Sequence, residues 1–107
     1  MRKIEIYEDS NGRLPFQEWL NKLENSTKAR IYAYIIRVVN GATRNNIRPV
    51  GDGVFEIKVN YGPGYRIYYY MENLTIFIIL LGGEKKSQKR DIEKAYSYLI
   101  DHTGEKL

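Results

Sequence analysis

The chain has 107 residues, 43% hydrophobic and 28% charged, the balance of one folded domain spanning 1–107 and not of a disordered segment. It has no cysteine and a single histidine, His102, which excludes disulfides, thiolate metal sites and cysteine nucleophiles and argues against a histidine-built zinc site or a serine triad. Lys and Arg number 17 against 13 Asp and Glu, a net charge of +4 that is compatible with a polyanionic partner without establishing one.

Arg2 to Glu8 alternates, with Ile4 and Ile6 on one side and Lys3, Glu5 and Tyr7 on the other, which predicts a short first strand. Charges in MRKIEIYED stand where a signal peptide needs an apolar stretch, so a cytoplasmic location is expected. Asp9-Ser10-Asn11-Gly12 ends the strand with turn formers. Pro15 suits a first helical turn, and Phe16, Trp19, Leu20 and Leu23 follow at helical spacing as core residues. Asn25-Ser26-Thr27 breaks that helix and offers a cap to the next. The second helix runs from Ala29 to Val39, with Ile31, Tyr34, Ile35, Val38 and Val39 on one face and Gly41 as terminator. So short a connection predicts an antiparallel helical hairpin.

The period then changes to two. Val54 to Val59 alternates, Tyr61-Gly62-Pro63-Gly64 turns, and Tyr65 to Met71 forms the next strand. Glu72-Asn73 turns again into Leu74 to Leu81, and Gly82-Gly83 is expected to end the sheet. The apolar run Ile76 to Leu81 is too short to span a bilayer, so no membrane partner is expected. A last helix from about Ser87 to Ile100 carries Ile92, Ala95, Tyr96 and Leu99 on one stripe. The order β-α-α-β-β-β-α predicts an α+β domain, with helices against one face of a mostly antiparallel four-stranded sheet.

Strand alternation also sorts the polar residues. Arg66, Tyr68 and Tyr70 share one face of the middle strand; Glu56 and Lys58 face away from Phe55, Ile57 and Val59 on its neighbour. If those faces coincide, Lys58, Arg66 and Tyr68 lie together on an open sheet surface. Lys85, Lys86, Gln88, Lys89 and Arg90 follow the last strand and are expected at the same edge. Cations interleaved with aromatic rings pair phosphates and stack bases, the chemistry of single-stranded RNA recognition. Polar sheet faces and cross-strand aromatic pairs are also ordinary devices of stability. Positive charge at a helix start opposes the macrodipole, however, and a bound phosphate there removes the conflict. Asp91 near that start reads as a capping or dipole contribution, Gly62 and Gly64 as turn geometry, and His102 as part of a polar tail without an orienting partner.

GDGVFEIKVNYGPGYRIYY (51–69), LLGGEKKSQKRDIEKA (80–95) and PFQEWLNKL (15–23) together resemble the phage-derived, Gp49-like and HigB-like addiction-module killer proteins of the RelE/ParE toxin superfamily. The resemblance implies the same element order and a type II toxin neutralised by a cognate antitoxin, often a helix-turn-helix protein. It implies one of two activities: metal-independent cleavage of mRNA on the ribosome, with no cofactor, or ParE-like inhibition of DNA gyrase by protein binding. Metal-free RNA cleavage needs proton transfer at the 2′-OH and the 5′-oxygen and cations on the developing phosphorane, which Lys, Arg and Tyr can supply. The resemblance matches Arg66 to the arginine at the scissile phosphate and Lys58 to a strand lysine that acts as base or stabilises charge. Lys85, Lys86 and Gln88 fall where such enzymes place another arginine. Lys86 is thereby added to the catalytic candidates, with Lys85, Gln88, Lys89, Arg90 and Tyr70 expected on RNA. Where RelE has a tyrosine in its last helix, this chain has Asp91-Ile92, and Tyr68 is the substitute, provided cationic neighbours depress its pKa.

Overall fold

The computed structural model describes residues 2–42 and 45–104. In chain order these form β1 (Lys3–Ile6), α1 (Pro15–Leu20), α2 (Asn25–Val39), β2 (Ile47–Gly51), β3 (Val54–Val59), β4 (Tyr65–Glu72), β5 (Ile76–Glu84), one 3-10 turn (Lys85–Ser87) and α3 (Gln88–Thr103). The strands lie in the order β1-β5-β4-β3-β2, antiparallel except for the parallel β1–β5 pair. The α+β class and element order follow the sequence pattern, with one strand more than the four expected. The added strand, β2, contains Pro49 and pairs only with β3 at the sheet edge, where a missing N–H costs no ladder bond.

The helices also divide between the two faces of the sheet, where one covered face was expected. Phe16 and Leu20 of α1 and Ile31, Ile35 and Val38 of α2 pack on Ile57, Val59, Ile67, Tyr69 and Phe77. On the opposite face, Ala95 and Leu99 of α3 pack on Val54, Tyr68, Ile78 and Leu80. The cause is legible in β5, whose run IFIILL is apolar at consecutive positions and so needs cover on both sides. Trp19 and Tyr34 are half-buried against the first of these cores.

Gly82 and Gly83 do not end the sheet; they lie inside β5. Gly82 sits beneath the Trp19 ring and Gly83 against the Asp91 carboxylate, and neither has room for a β-carbon. Both helical layers thus close on the strand backbone at adjacent residues. The helix limits shift too: α2 begins at Asn25, so Asn25-Ser26-Thr27 is its first turn, and no side chain caps it. The Tyr7 hydroxyl donates to Asp101 Oδ2 at 2.5 Å and its ring stacks on Tyr98, fastening the end of β1 to α3. Among the described residues, no helix is long and apolar enough to cross a membrane.

Candidate functional site

Where α3 begins, one corner of the sheet face it packs on stays open. There Lys58 of β3 stands directly opposite Arg66 of β4, and Glu56 opposite both Tyr68 of β4 and Arg48 of β2. Like charges paired across a ladder repel, so the Lys58–Arg66 rung is unfavourable without a counter-ion. A cavity of about 370 Å³ opens over this rung, lined by Asn45, Asn46, Ile47, Arg48, Glu56, Lys58, Arg66, Lys85 and Gln88. Its lining carries four cationic side chains and one carboxylate.

The carboxylate organises the cations. Glu56 is 2% exposed, yet Arg48 Nε donates to its Oε1 at 2.8 Å and Gln88 Nε2 to its Oε2 at 2.8 Å. Burial pushes the Glu56 pKa up, but these two hydrogen bonds and the Arg48 charge outweigh it, and the net shift is downward. Glu56 therefore remains an anion, joining β2, β3 and the start of α3. Arg66 is 5% exposed, and its Nε lies 3.7 Å from Glu56 Oε1, too far for a hydrogen bond. Its Nη1 donates to the carbonyl of Gly64 at 3.2 Å, while Nε has no hydrogen-bond partner. Arg66 lines the cavity beside Lys58 and Lys85, and cations gathered around one concavity make a binding place for an oxyanion.

The residues singled out in the sequence separate into three groups. Lys58, Arg66, Lys85 and Gln88 come together around the cavity. Lys86, Lys89 and Arg90 lie on the other side of the β5–α3 junction, lining a separate depression with Ser87 and Glu93. Tyr68 and Tyr70 turn under α3. Tyr70 is half-buried against the α3 core beside Gly53. Tyr68 is fully buried, and burial followed by the adjacent Glu56 charge pushes its pKa up, opposite to the depression a general base needs. Its hydroxyl makes no well-formed hydrogen bond. Asp91 accepts from Ser87 Oγ at 2.5 Å and is buried at the helix start, consistent with its structural reading. His102 does have a partner, Glu72 Oε1 at 3.2 Å. Two charged cavity residues escaped the sequence reading. Glu56 carried a signal, since it shares a strand face with Lys58; Arg48, on the unrecognised β2, carried none. Among the described residues, no group of three or more His, Cys, Asp or Glu is placed to hold a metal ion.

A family model described as phage-derived protein Gp49-like (DUF891) matches residues 18–101. An uncharacterized protein of Haemophilus influenzae (strain ATCC 51907 / DSM 11121 / KW20 / Rd) is 42% identical over 83 residues, covering 77% of this chain and 83% of that one. Among solved structures, a chain of the intact E. coli RelBE toxin-antitoxin complex superposes with a TM-score of 0.59 at 14% identity, over 78% of this chain and 96% of that one. The isolated E. coli RelE toxin gives 0.58 at 12% identity, over 88% and 98%. At these identities the two superpositions establish a shared fold.

Proposed function

We propose, from the premise that the chain belongs to the phage-derived Gp49-like protein family, that it is the toxin of a toxin–antitoxin pair and an endoribonuclease that cuts mRNA on the ribosome without a metal. The observation that carries this reading is the Arg66 guanidinium at the cavity wall, directly opposite Lys58 on one rung of the sheet. In this reading the scissile phosphate settles over that rung. The 2′-hydroxyl gives its proton to water as its oxygen attacks phosphorus, the bond to the 5′-oxygen breaks and that oxygen takes a proton from water, and the extra negative charge of the phosphorane falls between Arg66 and Lys58. Glu56 holds Arg48 and Gln88 around the cavity, and Lys85 closes its outer wall. The reading assigns binding and charge stabilisation to Arg66, Lys58, Lys85 and Gln88, and gives Tyr68 no role in proton transfer. A toxin fold seen in complex with its antitoxin supports a cognate antitoxin as the protein partner.

The test is transcript 5′-end mapping after brief induction of the wild type and of Arg66→Ala in one host. Loss of one preorganised donor to the transition state costs about 10²–10³ in rate. New ends inside translated frames are expected with the wild type and not with the variant, while antitoxin binding is kept. Growth arrest with intact transcripts would remove the nuclease assignment in favour of inhibition through a protein target.

A further inference from the structure

We propose that the cleft between α1 and α3, across the β5–α3 junction from the cavity, is a second RNA subsite that holds the sugar-phosphate backbone of nucleotides flanking the cleaved bond. The proposal rests on the nuclease reading and extends it from one phosphate to a strand. The cleft measures about 390 Å³, and its walls include Trp19, Lys22, Lys86, Arg90, Lys94 and Tyr98. Lys86, Arg90 and Lys94 are four residues apart and so line one face of the 3-10 turn and helix, while Lys22 approaches from the end of α1.

The acids in the cleft are already committed. Glu18 is bound twice by Arg13, at 2.7 and 2.9 Å, Asp91 is buried on Ser87, and Glu84 lies 3.7 Å from Lys86. Among the described residues, Lys22, Arg90 and Lys94 form no ion pair, and all three are exposed. Three cations without an ion pair around one concavity, with Arg90 also opposing the α3 dipole, mark a site for a polyanion. Trp19 and Tyr98 at the wall add apolar surface against which a sugar can rest.

Consecutive residues connect the two sites: Lys85 lines the cavity and Lys86 the cleft, so a strand leaving one crosses the junction into the other. An acidic protein helix fits less well, because the exposed large hydrophobics (Ile4, Tyr32, Ile36, Leu74 and Ile100) all lie outside the cleft and give such a helix no apolar anchor there.

The test is fluorescence anisotropy with uncleavable 2′-O-methyl RNA of 4 and 12 nucleotides, comparing the wild type, Arg66→Ala, and a double variant carrying Arg90→Glu and Lys94→Glu. For the double variant we expect at least tenfold weaker binding of the 12-mer and less than twofold change for the 4-mer. Its salt dependence on the 12-mer should be shallower by about 0.7 for each lost phosphate contact. The milder pair Arg90→Gln and Lys94→Gln should move affinity in the same direction. Unchanged 12-mer affinity, or equal weakening of both oligonucleotides, overturns the second subsite. If 4-mer binding still depends on Arg66, the cavity reading survives that result; if the wild type binds neither RNA, both fall.

Discussion

Glu56 is the side chain on which the arrangement of the cavity depends, because one buried anion faces two guanidiniums and an amide. Glu56→Gln removes the charge opposite Arg66 and leaves that guanidinium buried without a counter-ion. Breaking a buried pair in this way costs on the order of 3 kcal/mol. Urea denaturation should show the loss, and added phosphate should recover part of it by occupying the cavity; an unchanged midpoint would mean that Glu56 does not hold Arg66. Tyr68→Phe makes the opposite case. The hydroxyl it deletes is buried without a well-formed hydrogen bond, so stability should stay within about 1 kcal/mol of wild type. RNA cleavage by Tyr68→Phe should stay within a few-fold of wild type; a hundredfold loss would return the phenol to the mechanism. Strand alternation put Lys58 and Arg66 on one sheet surface if the polar faces coincided; their meeting on one rung depends on the register, which alternation does not give. The depth of Tyr68 was not, since its burial depends on which face α3 chooses.

At the scale of elements, the Glu72–Thr75 hairpin turn has the wrong residue for its backbone. Asn73 and Leu74 both have positive φ, 53° and 62°, and the Thr75 amide donates to the Glu72 carbonyl, as in a type I′ turn. Leu74 is 82% exposed, so its side chain gains little in return for the left-handed conformation. Leu74→Gly should raise stability by about 1 kcal/mol, read as a higher urea midpoint with an unchanged slope. Sequence periodicity located β3 to the residue and β4 and β5 to within three. It missed β2 because Pro49 and Gly51 interrupt a five-residue strand that has no alternation of its own. It also left α3 on the wrong side of the sheet. Tyr68 and Tyr70 read as a polar surface, whereas their rings are the apolar ground on which Ala95 and Leu99 pack.

For the whole molecule, these buried groups set a window of pH. The folded-state pKa of Glu56 is depressed, so its contribution to stability is complete above the ordinary carboxylate range and fades as pH falls through the lowered value. Burial raises the phenols of Tyr7, Tyr68 and Tyr69, Tyr69 to about 12; their contribution is complete below about pH 10 and is lost as pH rises through the folded values. Urea midpoints should therefore be level between about pH 5 and 10 and fall on either side. In Glu56→Gln the acid limb should be shallower and the alkaline limb unchanged. The parallel pairing of β1 with β5 sets a limit of another kind, in the order of synthesis. Lys3 has its sheet partner at Ile76, and Lys85 and Gln88 come later still, so β1 waits for β5, the fifth of the five described strands. A nascent chain that has not yet released the start of α3 lacks Lys85 and Gln88 at the cavity, so a protein proposed to act against translation keeps its site incomplete while its own sheet is being made.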